Sequence, residues 1–298
     1  MPRHAGGRAL KTERIGIIGL GRMGQAMATR FSRLGFSVSG WSRSGIDPAL
    51  AEEIGMHRAV DIPALVAASD IVILALLDDQ AVHTVLDALA TVDLSGRLVV
   101  DTSTVSPQTL RGRAAGMEAA GARLLDAPIS GGPEMLLSGK VGLYIGGDKA
   151  DFDRFLPLAE TLSDRIHHAG GLGDGAAAKL VNNMMLMGQW QNLKEALILG
   201  KKAGLTSAKI LEILSGSPAA SPAFKSRLPV ILGETDAVGF PVSGAIKDGR
   251  LVRDVASVLG IDTPAMAASL KSFEAAAEAG FGDADLATMV RLVAERSE

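Results

Sequence analysis

Three glycines in the pattern G-x-G-x-x-G, Gly19, Gly21 and Gly24, begin at the end of the apolar run RIGIIGL at 14–20, and no other feature constrains the chain as much. A short β-branched run that stops at glycine reads as a buried parallel strand. The next segment places Met23, Ala26, Met27, Phe31 and Leu34 at helical spacing and meets Gly35 where a helix would stop. FSVSGW at 36–41 returns as a strand, so the first forty residues spell one β-α-β unit. Each glycine then has its own use: Gly19 permits the tight turn, Gly21 lets the backbone approach a pyrophosphate, and Gly24 allows helix and strand to pack closely. The helix N-terminus presents N–H groups that attract phosphate. The competing reading, a glycine-rich turn without a ligand, has no need of three glycines at these offsets.

The alternation continues through IVILALL (71–77), RLVVDTS (97–103), ARLLDAPIS (122–130) and VGLYIGG (141–147). Parallel strands need crossover connections, so the pattern predicts a mostly parallel, doubly wound sheet of Rossmann type with helices on both faces. Asp47 before Pro48 and Ser106 before Pro107 mark helix starts, each pairing a side-chain cap with a proline whose missing N–H costs nothing in the first turn. Beyond Gly173 the strand signals cease. Residues 174–204 run without proline, enough for a helix of about 45 Å at 1.5 Å per residue, longer than a small domain is wide. Helical runs follow around 207–214, 249–259 and 264–279. The expected organisation is α/β: a frayed tail at 1–12, a dinucleotide-binding Rossmann domain at 13–173, and an all-α C-terminal domain at 174–298 joined by the long interdomain helix. The site is expected at the carboxyl ends of the strands, in the cleft between the domains.

At the end of the second strand an NAD enzyme usually places an acid to hold the ribose 2′-hydroxyl. This chain has GWSRS there, and Arg43 with the hydroxyls of Ser42 and Ser44 suits a 2′-phosphate, favouring NADP(H) over NAD(H). Arg43 as a solvated surface arginine, and Trp41 as core rather than a wall for the adenine, are the competing readings. A net charge of −3 gives no electrostatic reason to expect nucleic acid or an anionic membrane as partner. The chain has no cysteine, which excludes disulfides and thiol catalysis, and its longest apolar run is far short of the roughly 20 residues a membrane helix takes. Cytoplasm is the expected compartment. The five histidines show no metal-ligand spacing, so no metal site is expected, and the eleven methionines read as core filler.

GGLGDGAAAKLVNNM at 170–184 sets Lys179 and Asn183 four apart on one helix face, within an apolar stretch of Ala176, Ala177, Ala178, Leu180 and Val181. A lone helical lysine is usually a solvated charge; apolar surroundings would disfavour its ammonium form and move its pKa toward working pH. With this segment the chain resembles the β-hydroxyacid dehydrogenases, the family of 3-hydroxyisobutyrate, tartronate semialdehyde and succinic semialdehyde/glyoxylate reductases. Five motifs match in order over nearly the whole length: GLGRMGQAM, DTST at 101–104, DAPISGG at 126–132, GLGDGAAAKLVNN, and KD at 247–248.

The resemblance implies Lys179 as general acid/base, with Asn183 helping to position substrate. It implies that Ser103 and the turn Ser130, Gly131, Gly132 bind a substrate carboxylate, and that Lys247 approaches the nicotinamide end of the cofactor. Leu20, Arg22 and Met23 in the glycine turn, Leu76 and Leu77, Thr104 and again Lys247 fall to the cofactor. Ser103 as a turn or capping serine, and Lys247 as a surface lysine paired with Asp248, are the alternatives. The chain departs from the family at Met135 and Leu136, which make the expected pocket wall bulkier, at Leu76–Leu77–Asp78, and at Gly249. The implied reaction is hydride transfer between NADP(H) and a hydroxyacid or aldehyde acid, a small carboxylate partner. An imine reductase acting on a bulkier carbonyl or imine, and a non-catalytic NADP-binding module, are the other readings. Apolar residues around most of the long helix suggest a homodimer or higher homo-oligomer.

Overall fold

The computed structural model describes residues 13–295; the tail expected at 1–12 lies outside them. The chain divides into two compact units, the first up to Lys179 and the second from Leu180.

In the first unit the nine strands found among the described residues are β1 (Ile15–Ile18), β2 (Val38–Trp41), β3 (His57–Arg58), β4 (Ile71–Leu74), β5 (Leu98–Asp101), β6 (Arg123–Asp126), β7 (Ile129–Ser130), β8 (Gly142–Gly146) and β9 (Arg165–Gly170). They form one sheet in the order β3-β2-β1-β4-β5-β6-β8-β7, with β9 pairing β8. The first six are parallel, in the doubly wound arrangement expected, and β8 runs antiparallel to β6 and β7. Alternation along each strand explains the burial of both faces. Ile71, Ile73, Leu98 and Val100 pack with Met27, Phe31 and Phe155, whereas Val72, Leu74 and Val99 pack with Leu65, Leu86 and Leu110. The predicted caps form: Asp47 accepts from the Ala49 N–H, and Ser106 from the Gln108 N–H.

The helix expected from about 174 runs Asp174–Lys202. In the second unit it is followed by helices Ser207–Ser215, Pro222–Ile231, Val242–Val258, Pro264–Ala276 and Thr288–Glu295, with a π turn at Ala277–Phe281. Their core holds Met187, Trp190, Leu197, Phe224, Val242, Phe273 and Val290. The helix Val242–Val258 starts seven residues earlier than the expected run at 249, and Pro222–Ile231 had no counterpart in the sequence reading.

Candidate functional site

The glycine turn joins β1 to the helix Arg22–Arg33. Gly19 has φ +97°, and a Cβ there would collide with the Ala75 carbonyl and lie 2.8 Å from Leu76 Cδ2. A Cβ on Gly24 would collide with the Gly19 carbonyl oxygen. Gly21 differs: it is exposed, and a Cβ there would meet nothing within 4 Å. Two glycines are therefore needed for the turn itself, and the third leaves its outer side open. Gly21 is also the N-cap of a helix with no side-chain cap and no acid in its first turn, which leaves the positive end of the helix without an internal anion. A dinucleotide pyrophosphate fits such a cradle. Arg22 is exposed and Leu20 and Met23 half-buried.

On β2, Leu20 Cδ1 lies 3.0 Å from where a Gly40 Cβ would be, so the turn packs on this strand. Beyond it, Trp41 packs partly against the core, Arg43 and Ser44 are exposed, and the hydroxyls of Ser42 and Ser44 are 3.2 Å apart. Leu76 sits beside Gly19 in the loop after β4, while Leu77 stands exposed. The strand order thus gathers these residues at the carboxyl ends of the neighbours β2, β1 and β4, where the order of the sheet reverses.

The ends of β5 and β6 carry features that sequence reasoning missed. Asp101 and Asp126 close these strands as register partners, and both are buried. Asp101 Oδ1 accepts the Ser103 N–H at 3.0 Å, and Ser103 Oγ accepts the Leu76 N–H at 2.9 Å, so Ser103 ties the loops after β4 and β5 together. Ser103 is buried and Thr104 half-buried. Asp101 Oδ2 is buried without a hydrogen-bond partner, and burial pushes this carboxyl up to about 6, opposed by the Ser103 hydroxyl and N–H and reinforced by Asp126 and Asp79. The available signal was an aspartate ending an apolar strand run, LVVD and RLLD.

Ser130 ends β7, Gly131 is exposed with φ +143°, and Gly132 caps the short helix Pro133–Leu137. Met135 flanks this turn, its Sδ 3.2 Å from where a Gly131 Cβ would be. Leu136 is fully buried in the core, which corrects the expectation that both residues make the pocket wall bulkier. Only Met135 lies at the turn.

The helix that bears Lys179 is anchored by Asp126, whose carboxylate accepts the N–H groups of Gly173 and Ala176, each at 2.6 Å. Burial raises the Asp126 carboxyl, and those two N–H groups oppose the rise. Arg111 reinforces the same start, donating to the Leu172 carbonyl at 2.6 Å and pairing with Asp174 at 2.7 Å. Lys179 itself is 8% exposed.

In the second unit Asn183, 1% exposed, donates through Nδ2 to Asp248 Oδ2 at 2.7 Å. Lys247 Nζ pairs with Asp248 Oδ1 at 2.9 Å. The carboxylate seen in the sequence only as a surface partner of Lys247 is buried and joins both expected site residues. The adjacent His167 and His168 diverge, stacking on Tyr144 and Phe152 respectively. Among the described residues no three His, Cys, Asp or Glu side chains gather as a metal site, and no helix is long and apolar enough to cross a membrane.

Sheet order, glycine cradle and helix N-terminus define a dinucleotide-binding protein. The family model for the NAD binding domain of 6-phosphogluconate dehydrogenase matches residues 14–170, and that for NAD-binding of NADP-dependent 3-hydroxyisobutyrate dehydrogenase matches 173–293. The 2-hydroxy-3-oxopropionate reductase of Escherichia coli is 30% identical over 93% of this chain and 96% of its own. Glyoxylate/succinic semialdehyde reductase 1 of Arabidopsis thaliana is 29% identical over 94% and 98%. Among solved structures, 3-hydroxyisobutyrate dehydrogenase of Mycobacterium tuberculosis with L-serine superposes with a TM-score of 0.84 at 27% identity, covering 94% of this chain and 99% of the other. The chain belongs to the β-hydroxyacid dehydrogenase family and is an oxidoreductase acting on CH–OH groups.

Proposed function

We propose that this enzyme interconverts a short hydroxyacid and the corresponding aldehyde acid with NADP(H), using Lys179 as general acid/base. The observation that carries the reading is a lysine buried among apolar helix neighbours and set on a helix start that Asp126 pins. In reduction its ammonium donates a proton to the carbonyl oxygen; in oxidation its neutral amine takes the hydroxyl proton. When bound, the nicotinamide supplies or accepts the hydride.

The Gly19–Gly24 turn holds the pyrophosphate, with Leu20, Arg22 and Met23 around it, and Arg43, Ser42 and Ser44 receive the 2′-phosphate. Leu76, Leu77, Thr104 and Lys247 complete the cofactor set. The turn Ser130, Gly131, Gly132 offers hydroxyl and backbone donors to the carboxylate, and Ser103, whose Oγ accepts the Leu76 N–H, is the further contact assigned to it. Asn183 orients the substrate beside Lys179. The names of the Escherichia coli and Arabidopsis relatives support an aldehyde-acid substrate. Assembly as a dimer or higher homo-oligomer goes with this reading, since Val181, Met185 and Leu199 stand exposed on the long helix; sedimentation velocity gives the state.

Met135 beside the carboxylate turn favours one variant of this reading, a bulkier carbonyl or imine as substrate. Following absorbance at 340 nm with NADPH or NADH against glyoxylate, succinic semialdehyde, bulkier keto compounds and cyclic imines separates the two. Lys179→Ala is expected to cost about a hundredfold or more in turnover with NADPH affinity nearly intact. Full turnover in that variant removes the lysine from the mechanism. Arg43→Asp is expected to weaken NADPH more than NADH, and equal loss for both cofactors undoes the 2′-phosphate assignment.

A further inference from the structure

Asp126 is an unusual place for a carboxylate: the last residue of an interior strand, 2% exposed, at the end of RLLD. Its two oxygens are spent on one task. One accepts the Gly173 N–H and the other the Ala176 N–H, at 2.6 Å each. These donors flank the start of the helix Asp174–Lys202, where N–H groups have no intrahelical acceptor. A carboxylate there also meets the positive end of the helix dipole. It does what an N-cap side chain does, but from a strand 47 residues away in sequence.

The surroundings leave the carboxylate no freedom. A Cβ on Gly146 of β8 would lie 2.5 Å from Oδ1, and one on Gly175 would lie 2.8 Å from Oδ2 and collide with the Tyr144 carbonyl. Glycine at both positions lets strand and helix close around the oxygens. Lys179 follows Ala176 by three residues, which places it one turn further along the same side of the helix. Fixing the Gly173 and Ala176 amides therefore fixes the axial position and rotation of the turn from which the lysine projects.

We propose that Asp126 is the positioning residue for Lys179, holding the start of the long helix in the one setting that puts the lysine amine in line with its substrate. The proposal rests on Lys179 being the acid/base, and it assigns a role to the first residue of DAPISGG separate from the carboxylate turn that follows.

Asp126→Asn keeps the shape but turns one acceptor into a donor facing an N–H. In NADPH-dependent reduction of succinic semialdehyde, its kcat is expected to fall about 10- to 100-fold, the size of effect that a displacement of about 1 Å produces, with KM and NADPH affinity changed by no more than about threefold. Amide hydrogen exchange over 171–180 is expected to accelerate about tenfold or more while β1 and β4 keep their protection. In a Lys179→Ala background the same substitution is expected to cost less than about threefold, because a residue that acts through the lysine has nothing left to position. Asp126→Glu, which retains the charge and displaces it by one methylene, carries the same measurements if the Asn variant does not fold.

Unchanged kcat in Asp126→Asn, with Lys179→Ala inactive, overturns the positioning role and leaves the lysine assignment standing. Losses that multiply in the double variant overturn it too, since Asp126 would then act independently. Full turnover in Lys179→Ala overturns the acid/base reading and the proposal with it, a result distinguishable from the others before Asp126 is touched.

Discussion

The two units solve the same problem, burying polar groups near a site, in opposite ways. In the first, side chains bind backbone: Asp101 takes the Ser103 N–H, Ser103 takes the Leu76 N–H, Thr102 Oγ1 donates to the Leu74 carbonyl, and Asp126 takes two helix N–H groups. In the second, side chain binds side chain, through Asn183, Asp248 and Lys247. The cause lies in the elements. Where parallel strands end, the ladder stops and loop amides need other acceptors, whereas a helix interior satisfies its own backbone and leaves a buried amide or carboxylate only another side chain. A site at strand ends is held by backbone geometry; a site on helix faces depends on pairs.

The largest effect that would sharpen this contrast is expected for Gly24→Ala. Its new Cβ meets a backbone oxygen that cannot swing aside, so a loss of about 3 kcal/mol in stability is expected, with NADPH binding weakened about tenfold or more. Thermal unfolding and a fluorescence titration read both, and unaltered NADPH affinity would separate the turn from the cofactor.

Asp248→Ala comes next. It leaves the buried Asn183 amide without its acceptor while half-buried Lys247 can turn to water, so about 2 kcal/mol of stability is expected to go, together with most turnover. If denaturant unfolding shows no loss, the pair does not organise the second unit.

The smallest effect is expected at Asp101, whose folded-state carboxyl lies at about 6, above its ordinary value of 3.8. A carboxyl raised on folding contributes stability that is full below the unfolded value and disappears as pH rises through the folded one. Between pH 5 and pH 7.5 the wild type should therefore lose about 1 kcal/mol that Asp101→Asn does not lose. Parallel pH profiles of unfolding midpoints from the two proteins would break the assignment.

Legibility followed the same divide. The glycine turn, the caps at Asp47 and Ser106, and the long helix could be read because each depends on residues a few positions apart. β9 was missed because RIHHAG is mostly exposed and shows no apolar alternation; its pairing with β8 makes it a strand. The helix Pro222–Ile231 hid behind an internal Pro229, and the first two turns of Val242–Val258 behind Gly244. Gly249 is a packing glycine: a Cβ there would come within 3.3 Å of Leu270 Cδ1 and 3.6 Å of Met187 Sδ. Met135 and Leu136 depart together from the family pattern, and only three-dimensional packing turns the first outward and the second into the core.

By itself the sequence determined the alternation of the first five main strands with helices, the dinucleotide turn, the long helix and the family, since backbone stereochemistry and helix capping are written at fixed short offsets. Only the tertiary structure decided that Asp126 caps the lysine-bearing helix and that Asp248 joins Asn183 to Lys247. Asp126 and Ala176 are 50 residues apart, and Asn183 and Asp248 are 65. Over such separations no local spacing records which carboxylate is buried against which donor; the packing of strands and helices alone brings them together.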